Sequence, residues 1–437
     1  MDLLKRQSSV FQLNGKLKAV ILIGGPHVGT RFRPLSLELP QPLFPIAGSP
    51  WLQHHIEAIV KHPDVREILL IGFYNQSQQM SRFVDDMQRK YGIPIRYLQE
   101  YAPLGTAGGI YHFRDQILRG NPRAFFVFNS DVCCDFPVWE MAQFHSNVTG
   151  GNGYVILGTE ANEQQALSYG CIVEEPSTHK VLHYVEKPET FVSNIINAGG
   201  YIFSPDIFQH LTRAFTANYE NELIHDAARD SIDLHSSVLT PLAGNGDGGK
   251  LYVYKMNSGF WTQVKNAGHA IYANRLYLSL FKERHPEYLA TNTPGGHEIY
   301  GAVRIHPSAQ IDSSAVLGPN VYVGAGVVIG AGARVREAIV LDRAVIQEHS
   351  CVLHSIVGWD CVLGAWSRIE GYPSDLNPND PVAKITSESL FNLDGRLNPS
   401  ITILGQGVSV HSELIVLNTV VLPHKELTSS YKNQIIL

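Results

Sequence analysis

From residue 303 onward the chain repeats apolar side chains every six residues. Val303, Ala309, Ala315, Val321, Val327, Ala333, Ile339, Val345, Cys351, Val357, Leu363 and Ile369 hold one register. Ile305, Ile311, Leu317, Val323, Ile329, Val335 and Leu341 hold a second, which breaks at Gln347. Neither the 3.6-residue period of a helix nor the two-residue alternation of an ordinary strand produces this spacing. A period of six predicts a parallel β-helix, in which each short strand forms one side of a coil. Glycines at 318, 324, 326, 330 and 332 are expected at its corners, where the backbone needs positive φ. The repeat halts at Gly371 and resumes with Thr402, Val408, Leu414 and Val420 beside Leu404, Val410, Val416 and Leu422. The Pro-, Asn- and Asp-rich stretch 372–400 is therefore a loop inserted into an existing coil. A loop of this length inside a compact domain is either functional or disordered, and its composition does not separate the two.

Ahead of the repeat the grammar is different. Residues 1–16 form a polar tail without periodicity. From Leu17 apolar strand-like runs (Lys18–Ile23, Glu67–Gly72, Ile95–Gln99, Ala124–Asn129) alternate with helical patterns (Trp51–His62, Ser77–Tyr91, Ala107–Leu118). That alternation predicts an α/β fold, a Rossmann-like, mostly parallel sheet covered on both faces, with ligands beyond the carboxyl ends of its strands. The expected organisation is a tail at 1–16, a nucleotide-binding domain at 17–296 and the β-helix at 297–437.

Composition removes several function classes. With 34 Lys and Arg against 40 acids, the chain has a net charge of −6 and no basic run longer than two residues, so no nucleic-acid footprint is visible. The apolar run Ala19–Ile23 is too short for a membrane span or a signal-peptide core, and five cysteines without CxxC spacing fit a reducing compartment. A soluble, cytoplasmic protein is the expectation.

The loop Gly24-Gly25-Pro26-His27-Val28-Gly29-Thr30-Arg31 follows the first strand; glycines let backbone N–H groups approach phosphate, and Arg31 can bind its oxygens in a bidentate manner. Further along stand Pro40-Gln41-Pro42-Leu43, Leu104-Gly105-Thr106-Ala107-Gly108-Gly109, Asn129-Ser130-Asp131-Val132, Glu186-Lys187-Pro188 and Asn197-Ala198-Gly199. In this order they resemble the sugar nucleotidyltransferase family, which joins a sugar 1-phosphate to a nucleotide. With the β-helix, the insertion and the ending Gln434-Ile435-Ile436-Leu437, residues 17–437 are similar to its mannose-1-phosphate guanylyltransferase branch, alpha-type group. The left-handed form of the β-helix comes with that resemblance. So do the binding roles: Gly24 and Gly25 against the nucleotide, Glu100 toward guanine, Asp131 toward metal or phosphate, and Arg31, Gln99, Gly105, Thr106 and Asn129 among the residues that bind the nucleotide sugar. Glu186, Lys187, Asn197 and Gly199 would border the sugar. Glu100 has its own reason, since a carboxylate can accept from both guanine donors; a solvated loop acid is the competing role.

The chain departs from the family's catalysts three times. Three residues rather than one separate Gly24-Gly25 from Gly29-Thr30-Arg31. Gln41 stands where the catalysts have lysine, removing a charge that would stabilise phosphate in the transition state. Gln263, after Gly259-Phe260-Trp261, stands where they have a metal-binding aspartate, leaving Asp131 as the remaining candidate Mg²⁺ ligand. The amide of Gln263 can instead donate to a diphosphate, so no cofactor is expected for binding. The resemblance then implies a regulatory subunit of GDP-mannose pyrophosphorylase that binds GDP-mannose and inhibits a catalytic, beta-type sister subunit by feedback. Self-association through the β-helix is expected as well, and Tyr372, Leu390 and Phe391 of the inserted loop are the candidate regulatory contacts. Two alternatives stand: an active guanylyltransferase making GDP-mannose from GTP and mannose 1-phosphate with Mg²⁺, and a hexapeptide-repeat acyltransferase using His349 or His354.

Overall fold

The computed structural model describes residues 16–25, 32–220, 230–244, 249–372 and 400–437, together with Lys384, Phe391, Leu397 and Asn398. Arg31 and Leu390 lie outside the described residues. Two compact units emerge: one holds the chain through Gly25 and from His55 to Trp261, the other Pro26–His54 and Thr262–Leu437.

The first unit is a nine-stranded sheet made of β1 (Leu17–Gly24), β2 (Val65–Gly72), β3 (Ile95–Gln99), β4 (Ala124–Asn129), β5 (Tyr154–Glu160), β6 (Gly170–Glu175), β7 (Lys180–Glu186), β8 (Ile195–Phe203) and β9 (Leu251–Lys255). Their order is β3-β2-β1-β4-β8-β5-β9-β7-β6. The parallel pairing expected from β/α alternation holds from β3 to β4. Beyond β4 the ladder is mixed: β8 runs antiparallel to both β4 and β5, and β7 to both β9 and β6. For β6 and β7 the cause is local, since they are joined by a tight turn too short for a parallel crossover. Phe125, Val127, Tyr154, Ile156, Tyr201 and Phe203 lie in its buried core. At the amino ends of β1 to β3, half-buried Glu67 pairs with Lys18 and Arg96, each at 2.7 Å.

The helix Gln78–Tyr91 shows why the flanking layers form. Ser77 caps it by accepting from the Met80 N–H (3.2 Å), Gly92 ends it in the left-handed region at φ 67°, and Met80, Phe83, Val84 and Met87 make its buried stripe. The single helix expected over Ala107–Leu118 is two, Gly105–His112 and Arg114–Leu118, divided at Phe113, whose N–H turns back to the Gly109 carbonyl.

The second unit is the left-handed parallel β-helix of the hexapeptide repeat. Strict six-residue periodicity, however, fails at Glu337. Val303 pairs with Val321, 18 residues on, but Val321 pairs with Ala338, 17 on, and Cys351 pairs with Arg368, again 17 on. The following coils have one side a residue shorter, and the last is shorter still, Val416 pairing with Tyr431 only 15 residues on. The interior therefore passes to Ala338, Val340, Ala344 and Ile346, while Ile339 and Leu341 lie outside the interior cluster and Val345 and Cys351 are half-buried. Ser355 pairs with Thr402, 47 residues on, so the insertion adds 30 residues to a 17-residue coil.

The corner glycines divide into two kinds. Gly318, Gly326 and Gly332 do have positive φ, whereas a Cβ on Gly324 or Gly330 would lie 2.8 Å from the backbone N of Asp342 or Glu348 in the next coil. Those two answer to close coil stacking. Later corners put Arg343, His349, Asp360, Trp366 and His424 in the left-handed region instead.

The boundary expected at 296/297 is not where this unit begins. The helix Ala267–Arg284 is tied to the coils through the Arg275–Glu337 ion pair (3.1 Å) and Asn274 donating to the Asn320 carbonyl. Segment 32–54 belongs there too: His54 stacks on Tyr277 with centroids 3.9 Å apart, Phe44 packs edge-on against Trp359, and Arg304 donates to the Ala47 carbonyl. Among the described residues no helix is long and apolar enough to cross a membrane.

Candidate functional site

In the first unit the residues singled out in the sequence gather in two groups. The first lies at the ends of β1, β2 and β3. Gly24 takes φ 67° as the chain leaves β1 and accepts the Phe73 N–H at 2.8 Å, with Gly25 packed beside Phe73. Gln99 ends β3, and the next residue, Glu100, is 7% exposed, held by its N–H to the Gly72 carbonyl. A Cβ on Gly109 would stand 2.2 Å from Glu100 Oε1, so only glycine lets the carboxyl sit against that helix. Burial pushes the Glu100 carboxyl up to about 7. A carboxylate so placed has unused acceptor capacity that donors on a planar base can take up.

Gly105 and Thr106 also have a structural duty. The N–H groups of Ala107 and Gly108 donate to the Ile232 carbonyl, and Gly105 lies against the same carbonyl. The Thr106 hydroxyl accepts the Leu234 N–H (2.8 Å) and donates to Asp233 (3.3 Å). This part of the motif holds segment 230–234 in place.

The second group lies at the carboxyl ends of β4 and β7 and in the amino-terminal half of β8, which runs antiparallel to β4. Asn197 is the hub. Its Oδ1 accepts the Gly199 N–H (2.9 Å), which fixes the amide, and its Nδ2 donates to the hydroxyls of Tyr184 (3.0 Å) and Tyr201 (2.9 Å). Tyr184 donates to Glu186 Oε2 at 3.0 Å. Burial raises the pKa of both phenols, and nearby Glu186 raises them further. Asp131 acts electrostatically on Tyr201 and on Tyr169, whose pKa burial lifts to about 12, so the carboxylate following β4 belongs to the same neighbourhood. Asn129 completes it, with Nδ2 near Gly199. Lys187 adopts φ 45°, an unusual conformation for lysine, and its exposed ammonium stands 3.9 Å from Glu186. Trp261 donates to the Ala198 carbonyl (2.9 Å) and packs edge-on against Tyr169.

Gln41 and Gln263 belong to the second unit. The Gln41 amide donates to the Val264 carbonyl at 3.5 Å, and the Gln263 carbonyl contacts His269 Nδ1 at 3.1 Å. Of the proposed loop contacts, Tyr372 and Phe391 are exposed, at 66% and 45%.

Comparison with known proteins places this arrangement. The nucleotidyl transferase family profile matches residues 18–251, and that of the GMPPB C-terminal domain matches 299–436. A Danio rerio protein named mannose-1-phosphate guanylyltransferase regulatory subunit alpha-A is 61% identical over 426 residues, covering 96% of this chain and 100% of that protein. The chain belongs to this family. The regulatory subunit alpha of Homo sapiens is 57% identical over 426 residues with the same coverage of both chains. A Xenopus laevis relative named mannose-1-phosphate guanyltransferase alpha-A is 60% identical over 425 residues, also covering 96% and 100%.

For a member of this regulatory-subunit family, sequence reading overlooked Tyr184, Asp233 and His235. His235 opens a π-turn (His235–Leu239), stacks on Tyr184 with rings 11° apart, and its Nδ1 lies 2.8 Å from the Tyr184 hydroxyl. Asp233 precedes it; burial pushes its carboxyl up, but the N–H and hydroxyl of Ser236, with His235 and Thr106, bring it below its ordinary value. No spacing connects these residues to the motifs; only Thr106, through Leu234 and Asp233, gives a thread to them.

Proposed function

We propose that this chain is a non-catalytic regulatory subunit: it binds GDP-mannose through the two groups of residues described above and, so loaded, lowers the activity of a catalytic mannose-1-phosphate guanylyltransferase subunit. The observation that carries the reading is an assembled sugar-side network in the first unit, in a chain that carries neutral amides at positions 41 and 263. Glu186, Asn197 and the two tyrosines already share out their hydrogen bonds, as a site preorganised for a sugar requires. Gln41 spends its donor on a backbone carbonyl, and an amide cannot supply the positive charge that phosphoryl transfer draws on.

Binding of GDP-mannose is expected to need no metal, because Gln263 stands where the family's catalysts have a metal-binding aspartate and its neutral amide is a poor Mg²⁺ ligand. The names of the relatives support a complex with a catalytic partner, which we place in the cytoplasm, and the β-helix offers the surface for assembly and self-association. An active enzyme making GDP-mannose is the second reading, kept because one group of relatives carries the name guanyltransferase. The purified chain, supplied with GTP, mannose 1-phosphate and Mg²⁺, separates the two: no pyrophosphate release is expected, and turnover near ~1 s⁻¹, ordinary for enzymes, would overturn the reading.

A further inference from the structure

The hydrogens around Tyr184 can be assigned one by one. Asn197 Nδ2 has two, directed to Tyr184 and Tyr201, because its Oδ1 is committed to the Gly199 N–H. The Tyr184 oxygen therefore receives one hydrogen from Asn197 and has one of its own. Two groups compete for that hydrogen: Glu186 Oε2 at 3.0 Å and His235 Nδ1 at 2.8 Å. A carboxylate can only accept, whereas a neutral imidazole carries its hydrogen on either nitrogen. The contacts of 3.0 Å or less are all satisfied when Tyr184 donates to Glu186 and His235 Nδ1–H donates to Tyr184, while the longer approach of Asn197 Nδ2 to His235 Nδ1 (3.4 Å) is then not a hydrogen bond. That tautomer leaves Nε2 as a bare acceptor, and among the described residues no hydrogen bond of Nε2 is recorded.

Two independent features place His235 there deliberately. It begins a π-turn, with the Thr240 N–H bonded to its carbonyl five residues back, a rare geometry that recurs at functional sites. The turn is anchored by Asp233, which accepts from the N–H (2.8 Å) and hydroxyl (2.9 Å) of Ser236. The imidazole is 19% exposed at its side chain, so it borders open space next to Glu186 and Asn197.

We infer that His235 is a further binding residue of this site, its Nε2 accepting the hydrogen of a hexose hydroxyl while its Nδ1–H holds Tyr184 and, through it, Glu186. The inference rests on the proposed GDP-mannose reading and deepens it. It makes the site selective for a sugar with a donor hydroxyl at the position that faces Nε2.

Calorimetry on the full chain tests this with GDP-mannose, GDP and the GDP-deoxymannose series as probes. His235→Asn keeps an N–H near the Nδ1 position and removes Nε2. It should weaken GDP-mannose about five- to tenfold, the range for one hydrogen bond, and leave GDP unchanged. One deoxy sugar should show the same loss in the wild type and no additional loss in His235→Asn. His235→Gln, which reaches toward the Nε2 position, should recover part of the sugar term. Equal weakening of GDP and GDP-mannose would reduce His235 to a structural prop, and an unchanged ratio would also overturn the inference. If the variant fails to fold, the wild-type series decides alone: no deoxy sugar weaker than GDP-mannose refutes it. A wild type that binds GDP and not GDP-mannose refutes the functional reading itself.

Discussion

Replacing Glu100 with glutamine should change both stability and ligand affinity, each with a calculable dependence on pH. Burial moves this carboxyl from its ordinary 4.5 to about 7. That difference is worth roughly 3 kcal/mol in favour of the neutral acid in the folded chain. Between these two values the folded state keeps a proton that the unfolded state has released. Stability therefore falls as pH rises through the window, and the loss is complete above about 7. Tyr97, which faces Glu100 from β3, has its own pKa raised by burial and stays neutral throughout. Glu100→Gln abolishes the titration. Its lead over the wild type should grow from near zero at pH 4.5 to roughly 3 kcal/mol at about pH 8.5, or about 6–12 °C in the melting of a unit this size. Thermal unfolding at several pH values reads this. A difference that does not vary with pH, or a wild type more stable than Glu100→Gln in alkali, would refute the reasoning. The ligand side runs in the opposite direction, because guanine donors need the ionised form. GDP-mannose affinity of the wild type should rise about tenfold between pH ~6 and ~8, as the competent fraction rises from roughly 10% to 90%, and that of the variant should stay flat.

Three further outcomes follow from the same site. GDP-mannose should bind equally well with EDTA or with Mg²⁺, because an amide stands at 263; calorimetry showing strong metal dependence would contradict this. Gln41→Lys with Gln263→Asp should restore at most slight pyrophosphate release, since the longer Gly24–Arg31 loop still misplaces a triphosphate and an ångström of error costs about a hundredfold; full activity would show that charge alone was missing. Deleting 373–398 should leave the oligomer intact, as judged by sedimentation, because coils stand on both sides of the insertion, while removing ligand-dependent inhibition of the partner.

How far the sequence carried the fold depended on how local each signal was. β3 and β4 begin and end where their apolar runs do, and the Gln78–Tyr91 helix follows its cap, its stripe and Gly92. The antiparallel far half of the sheet was illegible because nothing in the runs of β5 to β9 records their direction. The β-helix was plain from its period, yet the shortening at Glu337 was hidden because Ile339, Leu341, Val345 and Cys351 are apolar whether they face in or out. At the site, Glu186, Asn197, Gly199 and Asp131 were visible as motif residues and do converge. Tyr184 and His235 were not, since their importance comes from one shared hydroxyl between residues 51 positions apart. Thr106 was visible for one reason and is used, among the described residues, for another.

The central claim is binding without turnover, put to use in controlling a partner. The most direct measurement is the rate of GDP-mannose synthesis by the catalytic guanylyltransferase subunit, followed as GDP-mannose is added, with and without this chain. If the account is right, inhibition at low GDP-mannose appears only when the chain is present, and loading the chain's pocket alters assembly by the factor that assembly alters its affinity. Equal sensitivity of the partner with and without the chain would contradict it.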